Sequence, residues 1–125
     1  MQLKNKTVSY MAIAFIAMAL SSCGMKHRAK GLVENYLANN LVNQDIAALT
    51  VSDVDSSFYI TPAVIKRMET NIATQKSFKK GVKFKTSPNK KVLFVRAKYV
   101  NGTDTLKQTF YFDDQLTTVI ACKNN

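Results

Sequence analysis

The chain is expected to fold as α+β, with two N-terminal helices packed on one face of a three- to four-stranded antiparallel meander. Three observations predict this. Apolar residues recur at helical spacing in two segments of the first half, the period changes to two after Gly81, and turn residues at Asn101–Gly102 and Asp113–Gln115 punctuate the second half. With 125 residues, 46% of them apolar, and only four Gly and two Pro, the composition fits one folded domain rather than a disordered chain.

Each element follows from its residues. Ala29, Leu32, Val33, Tyr36 and Leu37 fall at i, i+3, i+4, i+7 and i+8, one face of a first helix that ends near Asn39–Asn40. The next segment is harder to read: Asp45 is expected to cap a short helical turn over Ile46 to Leu49, and Phe58-Tyr59-Ile60 to form a brief strand. Thr61 and Pro62 have the chemistry of an N-cap and a first helical position. They open a second helix whose inner face is Val64, Ile65, Met68 and Ile72.

After Gly81 the residues alternate. Val82 and Phe84 oppose Lys83 and Lys85 in a first expected strand. Leu93, Val95, Ala97 and Tyr99 then oppose Val92, Phe94, Arg96 and Lys98. Asn101–Gly102 is a strong hairpin signal, because both residues tolerate positive φ. In the following strand Leu106, Phe110 and Phe112 point inward, and Leu116 to Cys122 return as the last. The order helix, short strand, helix, long strands resembles the NTF2-like or cystatin-like arrangement, which implies a pocket between helices and sheet.

The N-terminus carries the strongest functional signal. Lys4 and Lys6 precede Val8 to Leu20, thirteen residues without a charge. A span needs about twenty apolar residues, whereas the core of a signal peptide needs about 7 to 15. Leu20, Ser21, Ser22 and Cys23 follow, and this stretch resembles the lipobox of bacterial lipoprotein signals. The resemblance implies cleavage before Cys23 and attachment of lipid to its sulfur, with acyl chains of the palmitate class. The organisation expected is therefore a signal peptide over 1–22, a lipidated tether over 23–28 and a globular domain over 29–125. Localisation follows as a bacterial cell envelope, and Gly24 after the cysteine favours the outer membrane over the inner.

Charge is the second signal. Beyond the signal the chain carries sixteen basic and eight acidic residues, and between Lys66 and Lys98 there are eleven Lys or Arg against one acid, Glu69. Lys83, Lys85, Arg96 and Lys98 are the candidates to face an anion, either on a glycan, a lipid head group or another envelope protein. Nucleic acid is not expected as a partner, since the chain is placed outside the cytoplasm and half of the interleaved aromatics are needed for the core.

No catalytic residue, metal site or cofactor is expected. His27, the only histidine, lies four residues from the proposed anchor, and no CxxC, HExxH, GxGxxG or P-loop spacing occurs. Asp53 with Asp55, and Asp113 with Asp114, fit turn chemistry. Cys122 is expected to be a small buried residue without a disulfide partner. These readings lead to a lipid-anchored, non-enzymatic binding or assembly module. The alternatives are a small-ligand or enzymatic NTF2-like pocket protein, or an inhibitor of an envelope-directed enzyme. An inhibitor of cationic lysozymes would meet like-charge repulsion.

Overall fold

The computed structural model describes residues 22–125, so the basic n-region, the apolar run and the start of the lipobox lie outside the described residues. Helix α1 spans Ser22–Asn40 and is followed by short strands β1 (Ile46–Val51) and β2 (Asp55–Ser57). Helix α2 spans Pro62–Ala73, and the long strands are β3 (Val92–Asn101), β4 (Asp104–Phe112) and β5 (Val119–Asn124). The chain is thus α+β, with one antiparallel five-stranded sheet ordered β1-β3-β4-β5, and β2 pairs with β3 beside β1.

Helix α1 reaches further back than its sequence suggests. Ala29, Val33, Leu37 and Leu41 are fully buried four residues apart, and Met25 extends the same stripe by one more turn against the core. Residues 23–28, expected as a tether, are therefore helical. Arg28 strengthens the join by donating from Nε to the Leu116 carbonyl oxygen at 2.7 Å, in the turn between β4 and β5.

Four further expectations are corrected. Ile46 to Leu49 is strand rather than helical turn, because the apolar segment pairs with the open edge of β3, Ile46 opposite Asn101 and Val51 opposite Ala97. A bulge between Ala47 and Thr50 breaks that register, and Ala48 takes a φ of 57° there. Residues 58–60 are not strand: β2 ends with Ser57 opposite Val92, the first residue of β3, so beyond it the chain has no ladder to join. The Val82 to Thr86 segment alternates as expected, with Val82 and Phe84 packed on the core. It stays outside the sheet, giving β5 only the Lys85 N–H to Ile120 carbonyl bond at 2.9 Å.

The fourth correction concerns the layers. Helix α1 packs on the sheet face that carries Leu93, Val95, Ala97, Tyr99, Phe110 and Phe112. Ile65 and Met68 of α2 pack instead with Val92, Tyr111, Ile120 and Ala121, while Ile72 near its C-terminal end reaches the first cluster. Since Val92 and Tyr111 alternate with the first set along β3 and β4, the first two turns of α2 lie against the opposite face. The physical reason is at one end of the strands, where Val92, Phe94 and Tyr111 make both faces apolar and both must be covered. Thr61 caps α2 as expected, its Oγ1 accepting from the Val64 N–H at 3.3 Å.

The β3–β4 hairpin is tight, Asn101 pairing with Asp104. Gly102 has a φ of +63°, and a Cβ there would stand 3.1 Å from Asn43 Nδ2, so glycine meets both the backbone and the space requirement. Buried Asn101 donates from Nδ2 to the carbonyls of Asn43 at 2.7 Å and Asp45 at 3.1 Å, which ties the loop after α1 to this hairpin end.

Among the described residues one buried side-chain oxygen stands out, the Tyr36 hydroxyl. Tyr36 packs edge-to-face on Phe110, centroids 6.1 Å apart, and its hydroxyl is buried without a hydrogen bond of acceptable geometry. Burial, and then the Cys122 thiol beside it, push its pKa well above the ordinary tyrosine range. Tyr99, by contrast, donates to Gln108 Oε1 at 2.7 Å. Removing an unsatisfied buried hydroxyl removes its desolvation cost, so Tyr36→Phe should raise stability by about 1 kcal/mol. A urea midpoint that rises at unchanged slope is the expected reading; a fall of that size would show that the hydroxyl is satisfied by the thiol.

Candidate functional site

Helix α2 covers only part of the second sheet face. Towards the hairpin end the outward positions of the long strands are Arg96 and Lys98 on β3, Lys107 and Thr109 on β4, and Lys123 on β5. Pairing aligns them: Arg96 lies opposite Thr109, and Thr109 opposite Lys123. Lys98 lies directly opposite Lys107. The four cationic side chains are exposed, and among the described residues the ion pairs are elsewhere, Lys26 with Asp53 and Lys83 with Glu69, both at 3.8 Å.

Like charges placed opposite each other on neighbouring strands repel. In water the repulsion between unit charges a few ångström apart is of order 1 kcal/mol. A bound anion would turn that cost into attraction, whereas solvent and salt only screen it.

Beside these cations the sheet and α2 form a cleft of about 490 Å³. Arg67 and Asn71 of α2, with Gln75 just beyond it, line one wall, and Tyr111, Lys123 and Asn124 the other. Asn124 is shared with a shallower hollow bordered by Lys98 and Lys107. The cleft and the cationic strands therefore form one continuous surface that offers charge and amide donors. This is chemistry for holding phosphate or carboxylate groups.

Of the four residues expected to face an anion, the structure brings Arg96 and Lys98 together. Lys83 is turned to Glu69 of α2, and Lys85 is exposed on the segment that runs past β5. Sequence reasoning missed Lys107, Lys123 and Arg67. The first two were accessible in principle, since Lys107 alternates with Leu106 and Lys123 follows the last apolar run. Arg67 joins them only through the placement of α2.

His27 is exposed on α1. The Asp113 carboxylate accepts from the backbone N–H groups of Thr117 and Thr118 at 2.7 and 3.0 Å and from the Thr117 hydroxyl, and thereby closes the β4–β5 turn. Its burial would raise its pKa, but these hydrogen bonds outweigh that and hold it below the usual carboxylate range. Asp114 accepts from Asn89 Nδ2 at 2.7 Å. Cys122 is fully buried, and burial pushes its thiol up to about 12, which makes it inert as a nucleophile. Cys23 is exposed in the first turn of α1. Among the described residues no group of three metal-ligating side chains forms, and no helix is long and apolar enough to cross a membrane.

Comparison of the chain with protein-family models, curated proteins and solved structures finds no match in any of the three.

Proposed function

We propose that this chain is a lipid-anchored, non-enzymatic binding module of a bacterial cell envelope, attached through Cys23, whose second sheet face holds a polyanion. The observation that carries the binding role is the alignment of Arg96, Lys98, Lys107 and Lys123 on adjacent strands without a carboxylate partner among the described residues. A surface that served only solubility would gain nothing from placing Lys98 opposite Lys107. The anchor rests on the resemblance of Leu20 to Cys23 to a lipobox.

The same cations serve a second reading, a small anionic ligand in the α2 cleft, favoured by the amide groups of Asn71 and Gln75 facing Lys123. Chain length of the ligand separates the two. A polyanion gains from spanning Arg67 to Lys107, while a monomeric sugar acid or inorganic phosphate reaches only one or two charges.

The test is binding of the lipidated chain, held in neutral detergent, to polyuronate, to inorganic phosphate and to phosphatidylglycerol vesicles across a salt series. Affinity for the polymer should fall steeply between low and physiological salt, as screening shortens to about 8 Å. Lys98→Gln with Lys107→Gln should weaken polymer binding by roughly 5- to 30-fold, at about 0.5 to 1 kcal/mol per charge. Binding that is absent at every salt concentration, or indifferent to both substitutions, would remove the proposal.

A further inference from the structure

The end of the sheet opposite the hairpin gathers features that the anion-binding face does not explain. Phe58 and Tyr59 are 60% and 84% exposed, although both are large and apolar or amphipathic. They follow β2, which ends beside Val92 at the start of β3. The first turn of α1 belongs to the same end. Arg28 binds the Leu116 carbonyl in the β4–β5 turn, and that turn follows Phe112, whose partner is Leu93 near the start of β3. Lys90 and Lys91 precede β3 there, and Lys90 lines a groove with Phe58 and Ile60.

Cys23 is thus at the end that carries the exposed aromatic pair. No flexible stretch separates the two, because Met25, two residues on, already packs on the core. An acyl group on Cys23 would hold this end of the domain against the bilayer with little slack. Resting on the anchorage proposed above, we infer that the loop 58–60 is a second membrane contact, with Phe58 and Tyr59 entering the interfacial layer of the bilayer that holds Cys23.

The chemistry suits that layer. Aromatic side chains favour the membrane–water boundary, where a Tyr ring is buried while its hydroxyl stays hydrated. Electrostatics is a minor contributor, because Asp53, Asp113 and Asp114 lie at the same end as Lys90 and Lys91. A zwitterionic bilayer should therefore suffice.

An orientation follows. With Phe58 at the bilayer, Lys98 stands six residues along β3 from Val92, about 20 Å at strand spacing. That exceeds the screening length at physiological salt, about 8 Å. The basic face would then serve a soluble or polymeric anion, and the head groups of its own membrane would lie out of reach.

The chain has no tryptophan, so single reporters can be introduced cleanly. Phe58→Trp, Tyr59→Trp and Val42→Trp place one each at the loop and, for Val42, which is 64% exposed, near the hairpin end. The lipidated chain is reconstituted into phosphatidylcholine vesicles with and without brominated acyl chains, and flotation is measured alongside emission. Expected are a blue shift and quenching at positions 58 and 59, with neither at 42. Floating protein with unshifted, unquenched emission at 58 and 59 would overturn the membrane contact and leave the anchor standing. Protein that fails to float, with no lipid mass on Cys23, would overturn the anchor and this inference with it.

Discussion

Phe110→Ala should lower the stability of the domain by about 3 to 5 kcal/mol. Phe110 is fully buried at the centre of the sheet, paired with Val95 on β3 and Cys122 on β5, and its ring receives Tyr36 of α1 at an interplanar angle of 75°. Truncation loses the transfer energy of the ring and the edge-to-face contact, and it leaves a cavity that strands on both sides cannot close. A domain of about 100 residues has roughly 5 to 15 kcal/mol in total. At about 4 to 8 °C per kcal/mol, the thermal midpoint should fall by at least about 12 °C. Phe110→Leu keeps most of the volume and should cost far less. A loss below about 1 kcal/mol for the alanine variant would mean that α1 is not held by this contact.

The residues around Phe110 are also the most legible part of the chain. Strict alternation from Leu93 to Tyr99 and from Leu106 to Phe112 sets which side chains turn inward, and the hairpin glycine fixes the pairing between them. Alternation says nothing about what covers the other side. Val92, Phe94 and Tyr111 read as an outward set because their neighbours Arg96, Lys98 and Thr109 are polar. In the folded chain they form a second apolar patch that draws α2 across the sheet. That placement also assembles the cleft, so Arg67 could not be assigned to it from spacing alone.

Short segments failed for a different reason. Ile46 to Val51 becomes strand because β3 offers a free edge, and the residues themselves have no decisive preference. Phe58 and Tyr59 have high strand propensity but lie past the end of the partner strand. The brief strand expected at Phe58-Tyr59-Ile60 does not form, because pairing decides strand and no partner extends that far. The same overhang exposes the aromatic rings.

Cys23→Ser should abolish stable membrane retention or leave the uncleaved precursor. The argument is one of magnitude. Each buried methylene of an acyl chain contributes about 0.8 kcal/mol, and two or more chains hold a protein firmly where one holds it marginally. On the proposed reading the aromatic loop would add only two exposed rings, so it would orient the domain without replacing the anchor. Fractionation followed by intact mass should show the serine variant without lipid, either soluble or at precursor size; a variant with unchanged size and retention would refute lipid attachment at this position. A complementary variant separates anchoring from orientation. Twelve Gly/Ser residues inserted between Gly24 and Met25 would give a slack of about 20 Å, enough to let the domain turn. Retention should be unchanged, because the acyl chains are untouched, while quenching of a Tyr59→Trp reporter by brominated lipid should drop. If quenching persisted with the linker in place, the loop would hold the bilayer on its own, and the rigid α1 connection would not be what brings it there.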